Sequence, residues 1–158
     1  MVKVPATFFD SLTAVHRKWA WSLFFIATSV LMLVIFLQVH FVPGTAVEKV
    51  IQTVAAIFSL TGLFAGYRRY QAAIASSRDI TGDSGQRQKA YRKAVKAWWA
   101  MNAFPAIFSF LGFLITAQFA LFLLGLFHSG VHFTSVPRRK VIQFILQIPE
   151  SEKELWGL

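Results

Sequence analysis

Three histidines and one glutamate are the side chains best suited to ligating a metal: His40, Glu48, His128 and His132. His128 and His132 stand four residues apart, which puts two imidazoles on one helix face, a common spacing for paired ligands. Imidazoles facing one another from two helices, as His40 and His128 would, also suit the axial positions of a haem iron. Gly130 lies between the later pair and weakens the helix that their spacing requires. An imidazole also rests at a membrane surface with no ligand, because its edge is polar and its body apolar. No cofactor is therefore expected. A haem or metal protein using His40, His128 and His132 stands as an alternative.

Other chemistry has less to build on. No Ser–His–Asp or Cys–His set, phosphate-cradling glycine loop or neighbouring carboxylate pair is present. The chain has no Cys, which removes disulfides, iron–sulfur clusters and thiolate zinc sites. The expectation is a protein that is not an enzyme.

A different pattern serves packing. Ala55, Ser59, Gly62 and Gly66 recur at four, three and four residues, on one helix face, and Gly62 with Gly66 forms a GxxxG. Small residues let two helix backbones approach closely, which matters where no hydrophobic drive separates helix from solvent. Gln52 extends the stripe by a turn, and Gly112, Thr116 and Ala120 make a comparable face further on. These faces pack either against each other within the chain or against a second chain.

That argument presumes lipid, and composition supplies the reason. Residues of the apolar set make up 56% of the 158, charged residues only 15%, and there are 17 Phe. A soluble domain carries roughly 25% charged residues and cannot hide so many rings in a small core. Acyl chains solvate them readily.

The elements that would position these residues follow from uncharged runs. Residues 1–18 read as an amphipathic interfacial lead-in, with Phe8, Leu12, Val15 and Trp19 at helical spacing. Residues 19–41 carry no ionised side chain and span roughly 34 Å, enough for a first crossing. This run exceeds the 7–15 residues of a secretory signal, so it is expected to be retained. Val42-Pro43-Gly44-Thr45 should turn the chain. Residues 50–67 form the second span, and 68–96 a basic helical hairpin with its turn near Gly82 and Gly85 and Ser84 as helix cap. Residues 97–128 are longer than one crossing needs and too short for two, so a single tilted span bent at Pro105 is expected. Residues 135–148 read as a second interfacial helix, with a strand as alternative, and 149–158 as a short polar tail.

The fold class is therefore all-α, with three transmembrane helices, interfacial helices at both ends and a cytoplasmic basic hairpin. Lys and Arg number 16 against 7 Asp and Glu, for a formal charge of +9. Placing the N-terminus inside puts eleven of the 16 cations there, although Arg138-Arg139-Lys140 fall on the outer side. Arg68, Arg69, Arg87, Lys89, Arg92, Lys93 and Lys96, interleaved with Tyr and Trp, should meet anionic lipid headgroups. Lipid accounts for this charge, so nucleic acid is not an expected partner.

Apolar spans free of ionised side chains argue against an autonomous transporter. The functional expectation is an accessory or structural subunit of a larger membrane assembly, binding other subunits or itself, in a bacterial inner membrane with its N-terminus cytoplasmic. The alternative in a different class is a self-assembling, holin-like pore lined by Gln52, Ser59, Thr116 and Gln118.

Overall fold

A computed structural model describes residues 7–37, 45–80 and 83–158, and every regular element among them is helical. Helix α1 covers Phe8–Phe36, α2 Ala46–Leu60 and α3 Gly66–Arg78, with a π-helical turn at Thr61–Ala65 joining the last two into one rod. Helix α4 covers Ser84–Thr116, α5 Phe119–Thr134, α6 Arg139–Leu146 and α7 Lys153–Trp156, with a 3₁₀ turn at Glu150–Glu152 before α7. Among the described residues three helices are long and apolar enough to cross a membrane, Phe8–Phe36, Ala46–Arg78 and Ser84–Thr116, and α5 with α6, bent by 76° at their junction, makes a fourth if the two count as one span.

The helix starts follow local chemistry. Thr7, Thr45 and Asp83 each accept from a backbone N–H of the first turn, at Asp10, Glu48 and Gln86. Such caps satisfy donors that have no partner within the helix. The Gln86 N–H also holds the Asp83 carboxyl below its usual pKa. Asp83 thus caps α4, one residue before the Ser84 expected from sequence.

The largest departure concerns 97–128. No single span occupies it: α4 ends at Thr116, Ala117 takes a left-handed conformation (φ 52°), and α5 returns antiparallel along α4. The pairing is visible in Phe113 and Phe110 against Phe122, at 5.0 and 5.7 Å between ring centroids, and in Trp99 against His132 at 5.9 Å. The length argument failed because it counted uncharged residues only. Helix α4 begins at Ser84 and α5 runs to Thr134, so the hairpin draws on chain outside that run. Its tip is polar, and the Gln118 N–H finds the Thr116 hydroxyl at 3.3 Å.

Two further expectations are corrected. The lead-in is no separate interfacial helix, because α1 is continuous from Phe8 and its first turns bury Phe8 and Leu12. Nor is 149–158 a loose tail: Trp156 is fully buried, with its ring 5.0 Å from Phe8 and 6.4 Å from Tyr91. Residues 135–148 contain α6, whose Ile142 and Leu146 are buried in the same cluster, and no strand forms there. The turn expected at 42–45 lies outside the described residues except Thr45.

Two apolar cores result. One lies between α1, α4 and α5 and holds Leu23, Val30, Phe110, Phe113 and Phe122, with Ala55 reaching in from α2. The other, at the end where α1 starts, gathers Leu12, Ile74, Tyr91, Trp99, Leu146 and Trp156. Helix α4 is central to both, and half of its apolar stretch is buried against 22% of that in each of the other two long helices.

Candidate functional site

The small-residue stripe of α2 and α3 is turned onto α4. A Cβ on Gly62 would meet the Met101 carbonyl oxygen at 2.5 Å and Pro105 Cγ at 3.1 Å; one on Gly66 would meet the Met101 side chain at 3.1 Å. Ala55 and Ser59 are buried along the same line. Close approach is therefore used inside the chain, and Pro105, rather than breaking α4, packs into the hollow left by Gly62. The second expected face does not exist as one surface. Gly112 is buried on α4 against Ile51 and Leu121, Thr116 ends that helix with its hydroxyl on the Gly112 carbonyl, and Ala120 is exposed on α5.

Two polar groups occupy the bundle interior, one towards each end. Glu48, Gln52 and Gln118 form the first. The Gln118 amide donates to the Glu48 carboxylate, the Gln52 amide donates to Gln118 Oε1, and Gln52 also approaches Glu48 at 3.4 Å. A buried carboxylate needs such donors, since desolvation without them costs several kcal/mol. This arrangement ties the polar α4–α5 tip to the start of α2. Gln52, Ser59, Thr116 and Gln118, expected to line a pore, are instead hydrogen-bonded within the chain.

The second group is aromatic. His16 and His132 stack face to face, 4.9 Å apart and 4° from parallel, with Trp99 tilted against both and Trp19 stacked beyond His132. His16 Nε2 lies 2.9 Å from the His132 carbonyl and donates to it. Asn102 is fully buried beside this layer and donates to the Trp98 carbonyl at 2.9 Å. One turn below, His128 Nε2 pairs with the Ser59 hydroxyl at 2.7 Å, joining α5 to α2. Neither ring nitrogen of His132 meets a protein partner at hydrogen-bonding geometry, nor does His128 Nδ1.

Sequence reasoning placed His128 and His132 at the same end as Glu48. The chain reversal at Ala117 separates them, because α5 carries both histidines back towards the start of α1. His40 lies outside the described residues. Among the described residues no three His, Asp or Glu side chains converge as a metal ion would require. His16 and His132, the histidines that do meet, stack ring on ring rather than turning their ring nitrogens to a shared point. The geometry knits helices together. His16 went unread because residues 1–18 read as an interfacial lead-in whose apolar face is Phe8, Leu12, Val15 and Trp19; its spacing from Leu12, Ala20 and Leu23 held the signal.

This layer yields a test. Ser59→Ala strips His128 of its partner inside an apolar bundle and should destabilise by ~1–3 kcal/mol. Adding His128→Leu removes the orphaned group and should recover much of that loss. Unfolding of both variants in mixed detergent, followed by far-ultraviolet circular dichroism, reads the difference.

The cations divide by environment. Arg68, Arg69, Lys89, Lys93 and Lys96 are exposed. Arg87 is buried; it donates to the Leu146 carbonyl at 2.7 Å and pairs with Glu152 at 3.4 Å. Arg92 donates to the Ser11 hydroxyl at 2.8 Å and lies over the Phe8 ring. Arg78 donates to the Ile145 carbonyl, and Gln88 to that of Leu155 at 3.1 Å. These side chains of the α3–α4 hairpin satisfy carbonyls that α6 and α7 leave open at their C-terminal ends. Part of the basic hairpin thus anchors the C-terminal segment, a role that composition could not separate from headgroup binding. Comparison with protein-family models, curated proteins and solved structures finds no match to this chain.

Proposed function

We propose that this chain is a non-enzymatic accessory or structural subunit of a larger membrane assembly, as in a secretion, conjugation or respiratory complex. The observation that supports it most is the division of surface. Inside the bundle Ser59 bonds His128 and Gln118 bonds Glu48, while the two outer rods, α1 and the α2–α3 pair, leave most of their apolar surface outward. Trp21, Phe24 and Phe25 on α1 stand exposed as a ladder of rings, with Trp21 at 5.7 and 6.1 Å from the two Phe. Outward faces are what such a molecule offers to a neighbour. The glycine faces are already engaged within the chain, so partner contact falls on surfaces such as this ladder. Gentle detergent extraction, crosslinking and mass spectrometry test the reading: specific co-purifying chains support it, and a lone monomer sinks it.

Our reading of the topology takes α5 as a fourth crossing and sets both described termini on the cytoplasmic side of a bacterial inner membrane. Its support is charge. With α5 returning along α4, every described Lys and Arg except Lys49 lies towards the end where α1 begins, Arg138-Arg139-Lys140 included. Cytoplasmic faces carry that excess. Because the chain has no Cys, single cysteines report position cleanly. Gln86→Cys and Glu154→Cys should resist an impermeant maleimide in intact cells, and Ala46→Cys should react. Labelling of Glu154→Cys but not Gln86→Cys would refute the shared side.

A further inference from the structure

Helices α3 and α4 do not close on each other over their whole length. Between them lies a groove of ≈ 550 Å³ lined by small residues, Ala73 and Ala94 towards the basic end and Ala97, Ala100 and Gly66 towards the apolar part of the helices. Arg69 rises from the α3 wall and Lys93 from the α4 wall, and no acidic residue lines the groove. Both cations are exposed, and neither enters an ion pair or side-chain hydrogen bond among the described residues. Tyr70 and Trp98, 5.9 Å apart, form a third, aromatic wall. The uncharged run of α4 begins at Ala97. The groove therefore starts among free cations and continues into the apolar part of the helix.

We propose that this groove is a binding site for one anionic phospholipid, its phosphate held between Arg69 and Lys93 and an acyl chain laid over Ala97 and Ala100. The case rests on the membrane reading above and deepens it. Charge complementarity selects the headgroup: two cations on opposite walls, with no carboxylate between them, attract a phosphate and gain little from a zwitterion. The apolar end selects a ligand with a hydrocarbon tail over a free anion. Aromatic rings at the same level suit the headgroup boundary, where Trp and Tyr sit favourably. The remaining cations of the hairpin surround the site without lining it.

The test uses the full chain, first confirmed in the membrane fraction and helical by circular dichroism, then exchanged into mixed micelles holding equal phosphatidylglycerol and phosphatidylcholine. Native mass spectrometry counts retained lipids. The unmodified protein should keep one phosphatidylglycerol in preference to phosphatidylcholine. Arg69→Gln with Lys93→Gln should cut that retention about thirtyfold, the effect of losing two cations near a headgroup. Arg17→Gln with Lys140→Gln, the same charge change at exposed cations outside the groove, should leave it unchanged. Ala97→Leu, which fills the apolar end and keeps both cations, should also lower it. Equal losses from the two double variants would mean diffuse attraction and overturn the site. Displacement by millimolar inorganic phosphate would mean a free-anion site, and an unaffected Ala97→Leu would remove the acyl chain; either result overturns the proposal. A chain absent from the membrane fraction would instead overturn the membrane reading beneath it.

Discussion

Gly62→Leu should prevent the α2–α3 rod from seating on α4 and lower stability by about 3 kcal/mol or more, beyond the usual range for overpacking. The reason is what stands opposite. Even the first carbon of a side chain would come within 2.5 Å of a backbone oxygen, that of Met101, with Pro105 Cγ at 3.1 Å. A flexible neighbour could swing aside; a helix backbone cannot do so without opening the interface. Opening it would also part Ser59 from His128 and expose a pair that bridges α2 and α5. Gly130 is the matched control. A Cβ there meets nothing within 4 Å, so Gly130→Ala should be neutral or stabilising by up to about 1 kcal/mol from helix propensity. Thermal melts of the two variants in one detergent read the contrast. Equal melting temperatures would show that α2–α3 and α4 do not meet at Gly62.

Trp156→Ala is the second large effect, with an expected loss of ~3–5 kcal/mol for a fully buried indole. Trp156 plugs the cluster at the basic end, against Phe8 from α1 and Tyr91 from α4. Its removal should do more than leave a cavity. Helix α7 is held next to the cap of α1, since a side chain on Gly157 (φ 70°) would run into Thr7. Without the indole, the C-terminal turn loses its anchor, and Arg87 loses the setting of its contact with Glu152. Limited proteolysis should then cut within 149–158 far sooner than in the unmodified protein. Unchanged protease resistance would show that the cluster stands without Trp156.

How much of this was legible follows from which residues carried the signal. The rods of α1 and α2–α3 show through the uncharged stretches of spanning length within them, and the α3–α4 hairpin through Gly82 and Gly85. The reversal at Ala117 stayed hidden because Thr116-Ala117-Gln118 contains neither Gly nor Pro. Its left-handed residue is an alanine, and the turn is held by tertiary hydrogen bonds from Gln118 to Glu48 that no local pattern reveals. That one missed turn misplaced His128, His132 and the basic triplet together. The stripe at Ala55, Ser59, Gly62 and Gly66 was readable as a packing face, but its partner required knowing that α4 runs beside it. Trp156 went unread for a related reason: a lone ring in a polar stretch gives no periodicity, and its value lies wholly in what it touches.

The π-helical turn at Thr61–Ala65 has an evolutionary corollary. Such a turn is an α-helix with one residue inserted. Losing a residue from within it would restore the ordinary repeat, leaving Ala55 and Ser59 upstream and Tyr70 and Ile74 downstream pointing as they do now. Losing a residue anywhere else in this rod would swing everything beyond it by roughly 100°. This rod thus has one locus where its length can change by a single codon without scrambling the bundle, directly across from Pro105.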